Sequence, residues 1–310
     1  MKLAIPDLIS PSYFPAIAAI ELGLCRKQGL TVELEVISPV DAAYRALRDG
    51  TVDFVGGSSH SAASAFPDWD GVKLICAQSR GLYWFLVMRS DLGLTRGDLA
   101  GLKGCRIGAA PWVRLTLERL LAISGIDTTP GIGRDGVEIV PIPGATGTRV
   151  NYGVTAAQAL AEGTLDGFWA NGMGAELAVR RGIGMVMLDP RRGDGPPEGF
   201  DCTMATIATT DRLIAKAPTA AIGMARAVAE AQAMLTRQPD LATEVASHLF
   251  PPEEMALIAD LIRRDAPFYD PALPESAIAG MLNFSRAMGI VSKPLAYDDV
   301  VATGVRAALT

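Results

Sequence analysis

Apolar and polar positions alternate with two periods along the first third of the chain. Residues 2–6 read as a short apolar strand, and Ser10-Pro11-Ser12 reads as a turn. Ile17, Ile20 and Leu24 then recur at helical spacing in a stretch that runs to Gly23. Gly29-Leu30 leads into Val32-Glu33-Leu34-Glu35-Val36-Ile37, whose strict alternation predicts a strand. A helix is predicted over 40–48, ended by Gly50, and Val52-Asp53-Phe54-Val55 is a third strand. Gly56-Gly57-Ser58-Ser59-His60 is then expected to be a loop that opens the next helix. Strands separated by helices predict βαβ units and a parallel sheet.

The same order returns about a hundred residues later. Cys105-Arg106-Ile107-Gly108 reads as a strand, followed by a helix from near Trp112 to Ser124, closed by Gly125. Val137 through Ile142 echoes Val32 through Ile37. Ala46-Leu47-Arg48-Asp49-Gly50-Thr51-Val52-Asp53 matches Ala159-Leu160-Ala161-Glu162-Gly163-Thr164-Leu165-Asp166, a helix end with a terminal glycine and then a strand. The first segment continues into Ser58-Ser59-His60 and the second into Asn171-Gly172-Met173. Three segments in register predict two lobes of one plan. In such sheets ligands sit outside the carboxyl ends of the strands, beside helix N-termini. The expectation is therefore a small molecule held in a cleft between two similar βαβ lobes.

Past Asp211 the pattern is helical, interrupted by Pro239, Pro251-Pro252, Pro271 and Pro274. This part is expected to pack on the first lobe. Leu82 through Met88 and Cys202 through Thr209 are extended, β-favouring runs that read as two antiparallel crossings, hence a hinge. The expected division is 1–86 plus 203–310 for lobe 1 and 87–202 for lobe 2.

Composition narrows the function. The chain has 310 residues and a net charge of −6 with both signs interspersed, which argues against nucleic-acid binding. No run approaches the roughly 18 apolar residues of a membrane span. Cys25, Cys76, Cys105 and Cys202 form no C-x-x-C pair, and His60 and His248 are the two histidines. Neither a metal site nor a cofactor is expected from such a set. Met1 leads directly into a core strand with no signal peptide before it. A periplasmic location is expected if the sequence is a mature form, and a cytoplasmic one if Met1 is the native start.

Several segments resemble the type II periplasmic-binding-protein fold, in the thiamine-pyrimidine-synthesis-like branch that includes sulfonate- and taurine-type ABC transporter substrate-binding proteins. Tyr13-Phe14-Pro15-Ala16-Ile17 through Leu24, with Gly29-Leu30-Thr31-Val32-Glu33, is similar to that family's first helix and "GL-x-VE" strand. Ala46-Leu47 through Asp53-Phe54 resembles its "aL-x-x-G-x-vD" step. Asp98 through Gly108 resembles its entry to the second lobe, with a longer leader. By position, the resemblance implies ligand contacts from Ser10, Ser12, Tyr13, Phe14, Ser58, Ser59, His60, Gln78, Ser79 and Arg80 in the first lobe. In the second it implies Pro111, Trp112, Arg114, Thr146, Thr148, Asn171 and Met173.

Each candidate also has a purely structural reading. Serines that open a helix cap it, and a loop histidine can face solvent alone. Tyr13, Phe14 and Trp112 fit a cleft for a flat ligand or ordinary packing, whereas Trp84 and Trp169 sit in strand contexts and read as core. Arg80, Arg114 and Arg149 are the cations that could fork a carboxylate or sulfonate, with Arg114 foremost if a helix starts at Pro111-Trp112. The sequence carries no G-x-S-x-G elbow, Walker loop or dinucleotide fingerprint, and no catalytic residue is assigned. The resulting expectation is a solute-binding protein for a small anionic or aromatic organic ligand, with an ABC permease as partner. The alternative is an enzyme on this scaffold (decarboxylase, desulfinase or pyrimidine-synthase-like), pairing His60 with Ser10 or Ser12. Against it, the first loop lacks the cysteine nucleophile of the family's desulfinases, and the cysteine motif of the yeast-type pyrimidine synthases is missing.

Overall fold

The computed structural model describes residues 1–147 and 150–308. The chain divides into two compact units, Met1–Gly81 with Asp201–Thr310, and Leu82–Phe200.

In the first unit the short runs of the opening segment become β1 (Lys2–Ile5), α1 (Phe14–Glu21), β2 (Glu33–Val36), α2 (Val40–Arg48) and β3 (Phe54–Ser58). β4 (Val72–Ser79) follows; its residues are almost all buried, so it has no alternation for a periodicity reading to find. Strands β5 (Phe85–Arg89), β6 (Arg106–Ala109), β7 (Glu138–Val140), β8 (Gly167–Ala170) and β9 (Gly184–Leu188) belong to the second unit. Its helices are α3 (Arg114–Ile123), α4 (Tyr152–Ala161) and α5 (Gly172–Arg180). The chain then re-enters the first unit as β10 (Ala205–Thr210), followed by α6 (Pro218–Arg237), α7 (Pro252–Asp265) and α8 (Glu275–Ala287).

Two mixed five-stranded sheets result, ordered β2-β1-β3-β10-β4 and β7-β6-β8-β5-β9. The parallel strands expected from the strand–helix alternation are joined in each sheet by one antiparallel strand, β10 and β5, which arise from the two extended runs read as crossings. The reason is connectivity. A parallel strand requires a crossover back to the starting edge. The chain leaves the first sheet at Ser79 and returns to the same edge at Ala205, which pairs with both Ser58 and Ser79, so β10 must run the other way. In the second sheet, β5 starts with Phe85 opposite Ala170, the carboxyl end of β8.

The helical C-terminal part packs within the first unit, where α6 lies on α1 and on β4. Its fully buried alanines, Ala221, Ala225 and Ala231, let the backbone approach closely. On β3 two glycines serve the same end. A Cβ at Gly56 would lie 3.0 Å from Ile5 and 3.1 Å from the Gln78 amide nitrogen, and one at Gly57 would lie 3.0 Å from Val40. In the second unit Trp169 is fully buried and donates from Nε1 to Thr116 Oγ1 at 3.0 Å. Among the described residues no helix is long and apolar enough to cross a membrane.

Candidate functional site

In the first unit the strand directions bring four segments to one edge: the carboxyl ends of β1, β3 and β4, and the amino end of β10. Ser58 closes β3, and the chain turns directly into a 3-10 segment, Ser59–Ser64, rather than the expected helix. Ser58 makes no side-chain cap bond, so its capping reading falls. Its Oγ instead lies 2.6 Å from Ser61 Oγ.

Ser58, Ser59, His60, Ser61 and Thr203 are all fully buried and form one polar cluster. Ser59 Oγ is 3.1 Å from Thr203 Oγ1, and Thr203 Oγ1 is 2.9 Å from His60 Nδ1. On the other side of the ring, His60 Nε2 is 3.4 Å from Ser61 Oγ. The Met204 amide donates to Ser59 Oγ at 3.3 Å, and Phe284 of α8 packs edge-on to the imidazole with centroids 5.3 Å apart. Beneath the cluster, the Tyr44 hydroxyl donates to the Ser58 carbonyl at 3.1 Å, and burial pushes this phenol's pKa far up.

The first loop lies over the same edge. Ser10, Ser12, Tyr13 and Phe14 are buried, Tyr13 and Phe14 at the entry to α1. Ser10 donates its amide to Asp7, while its buried Oγ has no partner among the described residues. Ser12 donates to Asp265 Oδ2 at 2.8 Å, and Tyr269 donates to the Pro11 carbonyl at 2.7 Å. The end of α7 and the turn after it thus strap this loop in place. The strap also holds the end of β4: Ala77 and Arg80 donate their amides to Pro271 and Phe268. Gln78 sits at a register shift between Ala205/Ser79 and Thr206/Ala77 and donates from Nε2 to the Thr206 carbonyl at 3.1 Å. Its buried Oε1 has no partner among the described residues. Ser79 is fully buried; Arg80 is part-exposed and paired with Asp270 at 3.3 Å. Nearby, burial raises the Asp201 carboxyl pKa, and Arg80 partly offsets this.

In the second unit the equivalent edge carries Asn171, whose Oδ1 accepts from the Gly174 amide at 3.1 Å and caps α5. Met173 is fully buried in the same turn. Trp112 adopts φ +65, a left-handed conformation costly for an aromatic residue, and is half-buried. Helix α3 begins at Arg114 and not at Trp112. Arg114 is exposed and pairs with Glu118 at 2.7 Å, one turn along. Pro111 and Thr146 are exposed, and Thr148 and Arg149 lie outside the described residues.

Sequence reasoning missed Ser61, Thr203, Asp265 and the nearly buried Arg191, in the turn after β9. Ser61 was available as the next polar residue of the Ser58-Ser59-His60 run. Thr203 is 143 positions from the histidine it touches, and no local pattern links them.

No family model and no curated protein matches the sequence. Solved structures do. The periplasmic nitrate-binding protein NrtA from Synechocystis PCC 6803 superposes with a TM-score of 0.72 at 16% identity, over 99% of this chain and 87% of that one. The alkanesulfonate-binding protein SsuA from Xanthomonas axonopodis pv. citri, bound to MOPS, gives 0.68 at 13% identity, over 98% and 96%. The desulfurization enzyme DSZB gives 0.62 at 17% identity, over 99% and 98%. The chain therefore has the two-unit α/β fold of periplasmic binding proteins, a fold that also carries an enzyme.

Proposed function

We propose that this chain is a solute-binding protein that takes a small organic ligand at the carboxyl-end loops of its sheets, for ABC-type import. The observation that carries the reading is the buried cluster of Ser58, Ser59, His60, Ser61 and Thr203, together with the buried Ser10 hydroxyl, which has no partner among the described residues. Buried polar groups ordinarily find partners, and this edge is where open α/β sheets bind ligands. The solute-binding neighbours support the same reading, and its compartment and partner would be the periplasm and an ABC permease. Asn171 and Met173 are the residues we assign to ligand contact in the second unit. Mechanistically, a ligand with higher affinity for one conformation shifts the population towards it.

A thermal-shift screen of sulfonates, aromatic acids and pyrimidines, followed by mass analysis of the retained compound, tests the proposal. A stabilising compound recovered intact supports it; absence of any stabilising compound across these classes counts against it.

The enzymatic reading keeps one observation in its favour, the His60–Ser61 contact on a fold shared with a desulfurization enzyme. The first-loop serines expected to pair with His60 are otherwise placed among the described residues: Ser10 Oγ has no hydrogen-bond partner there and the Ser12 hydroxyl donates to Asp265. Recovery of a chemically altered compound from the same screen would establish this reading.

A further inference from the structure

Gln78 owes its position to an irregularity in the first sheet. Ala205 of β10 pairs with Ser79 and Thr206 pairs with Ala77, so Gln78 is the extra residue of a β-bulge at the carboxyl end of β4. Bulges re-aim side chains and recur beside functional sites. The Gln232 amide of α6 pins this one, donating to the Ala77 and Gln78 carbonyls at 3.2 and 2.8 Å. The fully buried Gln78 side chain crosses β10, the intervening strand, and reaches β3. Glycine at 56 leaves it room, because a Cβ there would lie 3.1 Å from Gln78 Nε2 and 3.0 Å from Ile5 Cγ2, at the end of β1. The orientation of the amide is fixed by its neighbour. Nε2 donates to the Thr206 carbonyl at 3.1 Å, and the flipped form would set two acceptor oxygens together. Oε1 can only accept, and it is buried with no partner among the described residues.

We propose that Gln78 is a specificity-determining residue whose amide oxygen accepts a hydrogen bond from the ligand. The site then takes organic molecules that bring an N–H or O–H donor and discriminates against analogues that only accept. This rests on the ligand-binding reading above and narrows it, since a bare sulfonate or carboxylate has no proton to give. A buried acceptor left without a donor costs free energy in every complex that fails to supply one. For that reason a site built to bond a polar hydrogen rejects the analogue lacking it more strongly than apolar shape can. Gly56 acts through Gln78, as the positioning residue that keeps the amide against the sheet.

Calorimetry on the full chain with matched pairs of compounds tests the proposal. The pairs are 2-hydroxyethanesulfonate with ethanesulfonate, 4-hydroxybenzoate with benzoate, and 2-aminopyrimidine with pyrimidine. Each pair differs by deletion of the donor, so added bulk plays no part. In a pair that binds, the donor-bearing member should bind about tenfold more tightly or better, the cost of one buried acceptor left unpaired. In Gln78→Met, an unbranched replacement of similar size, the ratio should fall to within about twofold, through lost affinity for the donor-bearing member alone. Gly56→Ala keeps the glutamine but crowds its amide, and should lower the ratio in the same way; it carries the test where Gln78→Met does not fold. General damage to the fold would weaken both members alike and leave the ratio unmoved. A wild-type ratio near one, or a ratio that survives in both variants, would overturn the inference and leave the binding reading standing. Binding by none of the compounds would remove the inference together with the reading it rests on.

Discussion

Replacing Gly174 by alanine should destabilise the second unit, although alanine is the better helix former. Gly174 lies in the first turn of α5, where its amide is capped by Asn171. A Cβ there would sit 2.6 Å from the Gly153 carbonyl oxygen and 2.8 and 2.9 Å from that residue's carbonyl carbon and Cα. These are backbone atoms of α4, so relief requires the two helices to separate. Alanine gains up to about 1 kcal/mol of helix propensity. Overpacking a tight contact costs about 1–3 kcal/mol and sometimes more. The net expectation is a loss of about 1–2 kcal/mol, or roughly 4–8 °C in Tm. Gly304→Ala is the control, because nothing lies within 4 Å of its Cβ position; its Tm should stay level or rise slightly.

Gly153 makes the reasoning sharper. Its Cβ would meet the Asn171 side chain, with Oδ1 2.5 Å away. Gly153→Ala should therefore displace the cap of α5 and cost about 1 kcal/mol, the usual worth of an N-cap. In an Asn171→Ala background the obstacle is gone, and the same substitution should be neutral or stabilising. Thermal unfolding followed by circular dichroism on this double-mutant cycle measures the coupling. A Gly174→Ala Tm at or above wild type, or additive losses in the cycle, would refute the reasoning.

Other consequences are more local. Arg114→Ala should change stability by no more than about 0.5 kcal/mol, since its ion pair with Glu118 is exposed; calorimetry should show ligand affinity within about threefold of wild type, because the helix pair already occupies the guanidinium. The Ser292 hydroxyl and amide hold the Asp68 carboxyl below its ordinary value of 3.8. Its contribution to stability is complete above that value and is lost as pH falls through the lowered folded value. Asp68→Asn, which tolerates the φ of 51 at this site, should flatten the acid limb of a Tm–pH profile between pH 5 and pH 2, and an unchanged limb would count against the pairing. Burial pushes the Cys25 and Cys76 thiols up to about 11 and about 12; Cys105 is also raised, by partial burial and by Asp166, but it is the half-exposed thiol where Cys25, Cys76 and Cys202 are buried. A disulfide reagent at pH 8 should therefore modify Cys105 first in the native chain, with peptide mapping as the readout.

Much of the architecture was legible because it repeats. The alternation at 32–37, the helix over 40–48 and the glycine-closed step into β3 all have counterparts in the second unit, and local patterns of this kind survive folding. The two extended runs were read as crossings, but their membership of the sheets did not show, because an apolar run such as Ala205–Thr210 carries no mark of which strands it pairs with. β4 and β9 were missed for a related reason: buried on both faces or short, they offer no period to count. Ser58-Ser59-His60 lies at the carboxyl end of β3, where its order in the sequence put it, yet the capping rule misjudged what its serines do. Capping needs a helix whose first amides point back at the hydroxyl, and a 3-10 turn here directs Ser58 sideways to Ser61.

That misjudgement and the missed Thr203 have one physical origin. The cluster does not belong to any single segment. His60 is held on one side by its own turn and on the other by the residues that lead into β10, which arrives after the whole second unit has been traversed. The antiparallel return of β10 places Thr203 and Met204, its leading residues, at the carboxyl edge, where a parallel strand would have placed trailing ones. With the opposite direction the residues that follow Thr210, and not Thr203 and Met204, would lie at that edge. Register fixes the rest, since Ala205 sits opposite both Ser58 and Ser79 and leaves no slack for the turn to slide. The polar cluster is thus set by sheet topology, with its side chains carried on strand ends that hold them more firmly than a surface loop would.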